Sequence, residues 1–138
     1  MKRNINIISD SYRHIADGYD TVNLSQIEDI VDCSVDTILY YNISYLNKPE
    51  AKQALAVLSR KLRLGGSVVI KFTNLDLLCK NYLDRKISTA EFMEHVQEVS
   101  NGLSIDEIYT YVDGDSLRIT KVGKEKNNIS VAITRVKI

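Results

Sequence analysis

The stretch from Asp36 to Phe72 constrains this chain more than any other. It opens with "DTILYYN", a continuous run of β-branched and aromatic residues that suits a strand covered on both faces. Asn47-Lys48-Pro49-Glu50 then supplies a helix start: a capping amide, a proline tolerated in the first turn and an acid near the positive end of the dipole. Ala51, Ala54, Leu55, Leu58 and Leu62 recur at helical spacing and form one apolar stripe. The pattern predicts that the helix stops at Gly65-Gly66, where glycine takes a left-handed backbone without steric cost, and that Arg60, Lys61 and Arg63 complement the negative end of the dipole. "SVVIKF" follows as a second buried strand. Two strands joined through a helix form a βαβ crossover, right-handed as nearly all such units are, so the sheet is parallel here.

The flanking segments extend this pattern. "NINII" (4–8) reads as a short strand entering the core and ends in the polar turn Ser9-Asp10-Ser11. "DTVNL" (20–24) suits another strand, and Ser25 with "QIEDIV" a helical turn. Beyond the βαβ unit, Asn74 can cap a helix carrying Leu75, Leu77, Leu78 and Tyr82. Ser88-Thr89-Ala90-Glu91 and Ser104-Ile105-Asp106-Glu107 have the form of capping boxes, so two more helices begin there; the second is expected to stop near Gly114. "LRITKV" and "ISVAITRV", separated by "GKEKNN", read as a β-hairpin. The simplest assembly is one domain over 1–138: a mostly parallel sheet, helices on both faces, and an antiparallel pair at one edge.

Composition narrows the function classes. Eighteen basic residues balance eighteen acidic ones, so net charge gives no reason to expect nucleic acid or an anionic membrane as partner. Cys33 and Cys79 lie far apart without CxxC spacing and there are only two histidines, which indicates neither a disulfide framework nor a metal site. The apolar run of "MKRNINIISD" is too short and too polar for a signal sequence, and no stretch is long enough to span a bilayer. A soluble, cytoplasmic protein with reduced cysteines is expected.

The segment "CSVDTILYYNISYLNKPEAKQALAVLSRKLRLGGSVVIKF" resembles the Rossmann-like (class I) S-adenosylmethionine-dependent methyltransferases. In that family an aspartate opens the fourth strand, a helix ends in R-x-L-x-x-GG and a fifth strand follows. "FTNLDLLCKNYL" is similar to the family's next strand-to-helix turn, and the terminal hairpin to its sixth and seventh strands. The likeness covers about residues 33–138 and implies a truncated three-layer Rossmann-like fold. It departs at the other end. The family places a glycine-rich loop after the first strand, because a side chain there would collide with the cofactor, and an acid after the second to hold the ribose hydroxyls. "NINIISDSYRHIADG" has no such loop, and neither Gly18 nor Gly114 stands in a G-x-G context. "DTVNL" resembles the third strand, so one strand-helix unit is missing.

The candidate site residues follow from the same resemblance. Asp10 is either a polar turn residue or a replacement for the absent acid that binds the cofactor. Asn42 and Tyr45 lie beyond the end of a parallel strand, where open α/β sheets bind ligands; Asn42 is also a plain helix-entry residue. Asp76 matches the family's acid after the fifth strand and equally suits an early-helix acid facing the dipole. Asp10 and Asn42 are thus the cofactor candidates, Tyr45 and Asp76 the substrate candidates, with no catalytic group assigned. His14 and His95 have no partner at catalytic spacing, and Tyr40, Tyr41, Tyr45, Tyr109 and Tyr111 are expected mainly in packing. Two functions are expected to compete. One is a non-catalytic methyltransferase-like module that needs no cofactor and works by association with itself or another protein. The alternative is an S-adenosylmethionine-dependent methyltransferase acting on a small molecule. Ligand binding in the same crevice without chemistry is a third option.

Overall fold

The computed structural model describes residues 2–8, 15–41, 43, 48–98, 104–112 and 115–137. The parallel half contains β1 (Asn4–Ile8), β2 (Asp20–Asn23), β3 (Val35–Tyr40) and β4 (Leu62–Thr73). A 3-10 helix (Leu24–Asp29) follows β2, and α1 (Lys48–Lys61) joins β3 to β4. Then come α2 (Leu75–Leu83), α3 (Thr89–Glu98), α4 (Ile105–Tyr111) and the hairpin of β5 (Leu117–Glu125) and β6 (Asn128–Arg135). The six strands form one sheet in the order β2-β1-β3-β4-β6-β5, parallel through β4 and antiparallel beyond it. The mixed α/β architecture expected from the sequence is therefore present. β2 hydrogen-bonds directly to β1 and takes the place of the strand beside the first, so the missing unit leaves no gap in the sheet.

The period-two alternation of the strands sets the core. Ile5, Ile7, Ile38, Tyr40, Val68, Ile70, Phe72, Ile129, Val131 and Ile133 share one face and are buried. Leu55 and Leu58 of α1, Ile27 of the 3-10 helix and Ile108 of α4 belong to the same cluster. On the opposite face Ser67, Val69 and Lys71 alternate with Ser130, Ala132 and Thr134 and are half-buried. A chain of hydroxyls runs across it, Ser67 to Thr134 at 2.8 Å and Thr134 to Thr120 at 2.9 Å. No helix among the described residues is long and apolar enough to cross a membrane.

The glycine pair works differently from the expectation. α1 ends at Lys61, and Gly65-Gly66 lie inside β4. Val35 pairs with Leu62 but Thr37 pairs with Ser67, so β4 carries a bulge across Asp36. Gly65 takes φ +82°, and a Cβ on Gly66 would lie 2.8 Å from the Val35 carbonyl oxygen and 3.0 Å from those of Arg63 and Asp36. The helix is closed instead by distant groups. The Cys33 and Ser34 amides donate to the Arg60 and Lys61 carbonyls at 3.0 and 2.9 Å. Arg135 Nη1 donates to the carbonyls of Arg60 and Leu62 at 3.2 and 2.9 Å. Each free C-terminal carbonyl needs such a donor.

The basic run beside the glycines is spent on ion pairs. Arg60 meets Glu28 at 3.2 Å, Lys61 meets Asp32 at 2.7 Å, and Arg63 meets Asp36 at 3.7 Å. The Lys61 side chain is only 4% exposed.

The caps follow the sequence closely. Asn74, Ser88 and Ser104 accept from the amides of Leu77, Glu91 and Glu107 at 3.0, 3.1 and 3.3 Å. The 3-10 helix is capped by Asn23, not Ser25, whose amide donates to the Asn23 side chain at 3.0 Å. α4 ends at Tyr111, before Gly114, which lies outside the described residues. The hairpin turn is Lys126-Asn127, tighter than the six-residue spacer suggests.

Candidate functional site at the end of the parallel strands

The four parallel strands end on the same edge of the sheet. The chain leaves β1 for β2 on one side, then returns to β3 on the other, so the topological switch point lies between β1 and β3. Open α/β sheets bind ligands in the crevice beyond such a point, because the two loops diverge there. Asp10 belongs to the loop after β1, and Asn42 and Tyr45 to the loop after β3. All three lie outside the described residues.

Asp76 is described. It is an exposed acid in the first turn of α2, two residues after the Asn74 cap, and it follows β4, one strand away from the switch point. That position suits the helix dipole. His95 lies in the last turn of α3, and His14 lies outside the described residues. Among the described residues no group of three potential metal ligands comes together, and both cysteines are free thiols.

Two tyrosines, Tyr40 and Tyr41, stand at the C-terminal end of β3, and two more, Tyr109 and Tyr111, on α4. Tyr40, at the end of β3, is fully buried and its hydroxyl has no hydrogen-bond partner among the described residues. Burial raises its pKa, and the charge of Glu50 adds to the effect. Tyr41 is half-buried, with Lys71 Nζ 5.7 Å from its ring centroid and Lys71 also 3.3 Å from Glu125. Tyr109 is exposed, whereas Tyr111 donates to Glu107 at 3.1 Å. Burial and that carboxylate raise the Tyr111 pKa.

Sequence reasoning missed a polar cluster at this edge. The Asn74 amide donates to the Asn127 carbonyl at 2.8 Å, Asn81 Nδ2 to Asn127 Oδ1 at 2.7 Å, and Thr73 Oγ1 to Asn128 Oδ1 at 3.2 Å. It buries Thr73, Asn74 and Asn127 and ties α2 to the hairpin turn. Its partners are some fifty residues apart, so no local pattern announces them. With its polar groups satisfied by one another, it is a structural joint.

An adenosyl cofactor needs an acid for its ribose and a backbone that approaches closely. Gly18 precedes β2 at φ +81°, and a Cβ there would meet nothing within 4 Å. It serves a turn and not a close approach.

No family model matches the chain, and no curated protein matches it in sequence. The fold is a truncated Rossmann-like one, shared with solved structures described as methyltransferases. A protein from Sulfolobus solfataricus assigned to the type 11 methyltransferases superposes with a TM-score of 0.56 at 17% identity, over 86% of this chain and 60% of its own. An O-methyltransferase family protein from Burkholderia thailandensis gives 0.56 at 14% identity, over 85% and 35%. The PH0226 protein from Pyrococcus horikoshii gives 0.59 at 14%, over 86% and 60%. The chain thus spans only about a third to three-fifths of the length of these proteins.

Proposed function

We propose that this chain is a methyltransferase-type domain that binds S-adenosylmethionine at the β1–β3 switch point and transfers its methyl group to a small molecule. One observation carries the reading. β1 and β3 pair in parallel, from Asn4↔Thr37 to Asn6↔Leu39, so the segments bearing Asp10 and Asn42 follow neighbouring strands at one edge. The Asp10 carboxylate would accept hydrogen bonds from the ribose hydroxyls, and Asn42 would orient the donor end. Tyr45 and Asp76 would contact the substrate. The cofactor supplies the methyl group. The protein's task is alignment of the nucleophile with it, which needs no dedicated base when the nucleophile is already deprotonated.

Calorimetric titration with S-adenosylhomocysteine tests this. Saturable heat is expected, with the dissociation constant raised at least tenfold in a folded Asp10→Ala variant. No heat at millimolar ligand sinks the reading.

A second reading has its own support in Ser9-Asp10-Ser11-Tyr12-Arg13-His14, a glycine-free segment where the family has glycines. In it the domain works by association and needs no cofactor. A protein silent in the titration whose mass grows with concentration would favour it.

A further inference from the structure

The connection from β2 to β3 leaves one flank of α1 without a neighbouring α-helix. Crossovers between strands of a parallel sheet are usually α-helical, but this one contains only a six-residue 3-10 helix. Beside it, along α1, lie two adjoining depressions of about 420 and 280 Å³ that share Gln53 and Val57. Leu24 and Ile27 form one wall, and Ala54, Ala56 and Val57 the floor. The groove runs from Pro49 to Arg60, about 16 Å at the helical rise of 1.5 Å per residue. Lys52 is exposed on its rim and makes no ion pair among the described residues.

α3 has the complementary character. It packs against α2 through the stacked rings of Tyr82 and Phe92, 4.4 Å between centroids. Its other side presents Ala90, Met93, Glu94 and Gln97, spaced i, i+3, i+4 and i+7 on one face and all exposed. Met93 is 54% exposed, and Glu94 makes no ion pair among the described residues. The ten residues of α3 are about 15 Å long.

We propose that α3 of a second copy of this chain docks in the α1 groove, with Met93 over Ala56 and Val57 and Glu94 against Lys52. Length, apolar surface and charge all match. The occupant is then a helix lying where a crossover helix would otherwise lie. Lys52, Met93 and Glu94 are not among the cofactor or substrate candidates, so their variants test self-association separately from cofactor binding.

The test is light scattering after size exclusion, with sedimentation equilibrium from about 10 to 500 µM. The wild-type mass is expected to rise above the 15.6 kDa of one chain as concentration increases. Lys52→Glu, Glu94→Lys and Met93→Glu alter exposed side chains and should each weaken association at least tenfold while circular dichroism stays unchanged. The double variant Lys52→Glu/Glu94→Lys should recover most of it. A wild type that is monomeric throughout overturns the proposal. So does association that the three single variants leave intact, or a charge swap that gives no recovery.

Discussion

Replacing Gly66 with alanine should be far more damaging than replacing its neighbour Gly65, although both lie in one bulge. At Gly66 the new methyl would sit 2.8 Å from Val35 O and 3.0 Å from Arg63 O and Asp36 O, three backbone atoms that cannot rotate aside. Relief requires β3 and β4 to separate where the Asp36 amide is already committed to Arg3 O at 2.8 Å. Overpacking of this kind costs about 1–3 kcal/mol, and rigid neighbours place it at the upper end. Gly65 has open space around its would-be Cβ but φ +82°, so Gly65→Ala incurs only the left-handed penalty, about 1 kcal/mol. With a urea m-value of about 1.5–2 kcal/mol/M, Gly66→Ala should lower the unfolding midpoint by about 1.5–2 M and Gly65→Ala by about 0.5 M. Gly65→Asn should recover most of the latter, because asparagine tolerates the left-handed region. Equal midpoints for the two alanine variants, or a Gly66→Ala protein as stable as wild type, would refute the assignment of the pair to a crowded bulge.

Arg135→Ala removes the two hydrogen bonds that Nη1 makes to the carbonyls of Arg60 and Leu62, where α1 passes into β4, and should cost about 2 kcal/mol in urea unfolding, the usual range for bonds with a charged partner. Tyr40→Phe deletes a buried hydroxyl that makes no bond among the described residues and should leave stability unchanged or raise it by up to about 1 kcal/mol, read as a shift in Tm. Asp32 has its pKa lowered, first by the hydrogen bond from Lys61. A depressed folded-state pKa stabilises the protein above the unfolded value, near 4, and that stabilisation is lost as pH falls through the folded value. Asp32→Asn should therefore flatten the acid limb of the stability profile below about pH 4; an identical limb in the variant would dissociate Asp32 from it.

The local rules in the sequence were sufficient for the elements they govern. Asn74, Ser88 and Ser104 cap helices because a side-chain oxygen three residues ahead of a free amide works regardless of context. Alternation gave the buried face of β4 directly, through Val68, Ile70 and Phe72. Gly65-Gly66 suits a helix stop as well as a bulge, because glycine serves in both, and only the register of β4 against β3 distinguishes them. Arg135 and Asn127 act on residues 75 and 53 positions away, a distance at which sequence carries no geometric signal. At the crevice, the sequence puts Asp10 after the first strand and Asn42 after the third, and both lie outside the described residues; that β1 and β3 are neighbours is set by the sheet order. Asp76 was separated from them by the sheet order, one strand further on.

The inversion of the hairpin has a kinetic consequence. β6 follows every other strand in chain order, yet it lies between β4 and β5, and Ser67 and Thr134, which meet across it, are 67 residues apart. The parallel half is left with an open, hydrogen-bond-hungry border along β4 until that late strand arrives. Contacts of such long sequence separation slow folding, and unpaired borders recruit other chains meanwhile. During synthesis, three helices and a turn must emerge before the border is sealed, so folding yield in this protein should depend on how quickly its C-terminal third is made.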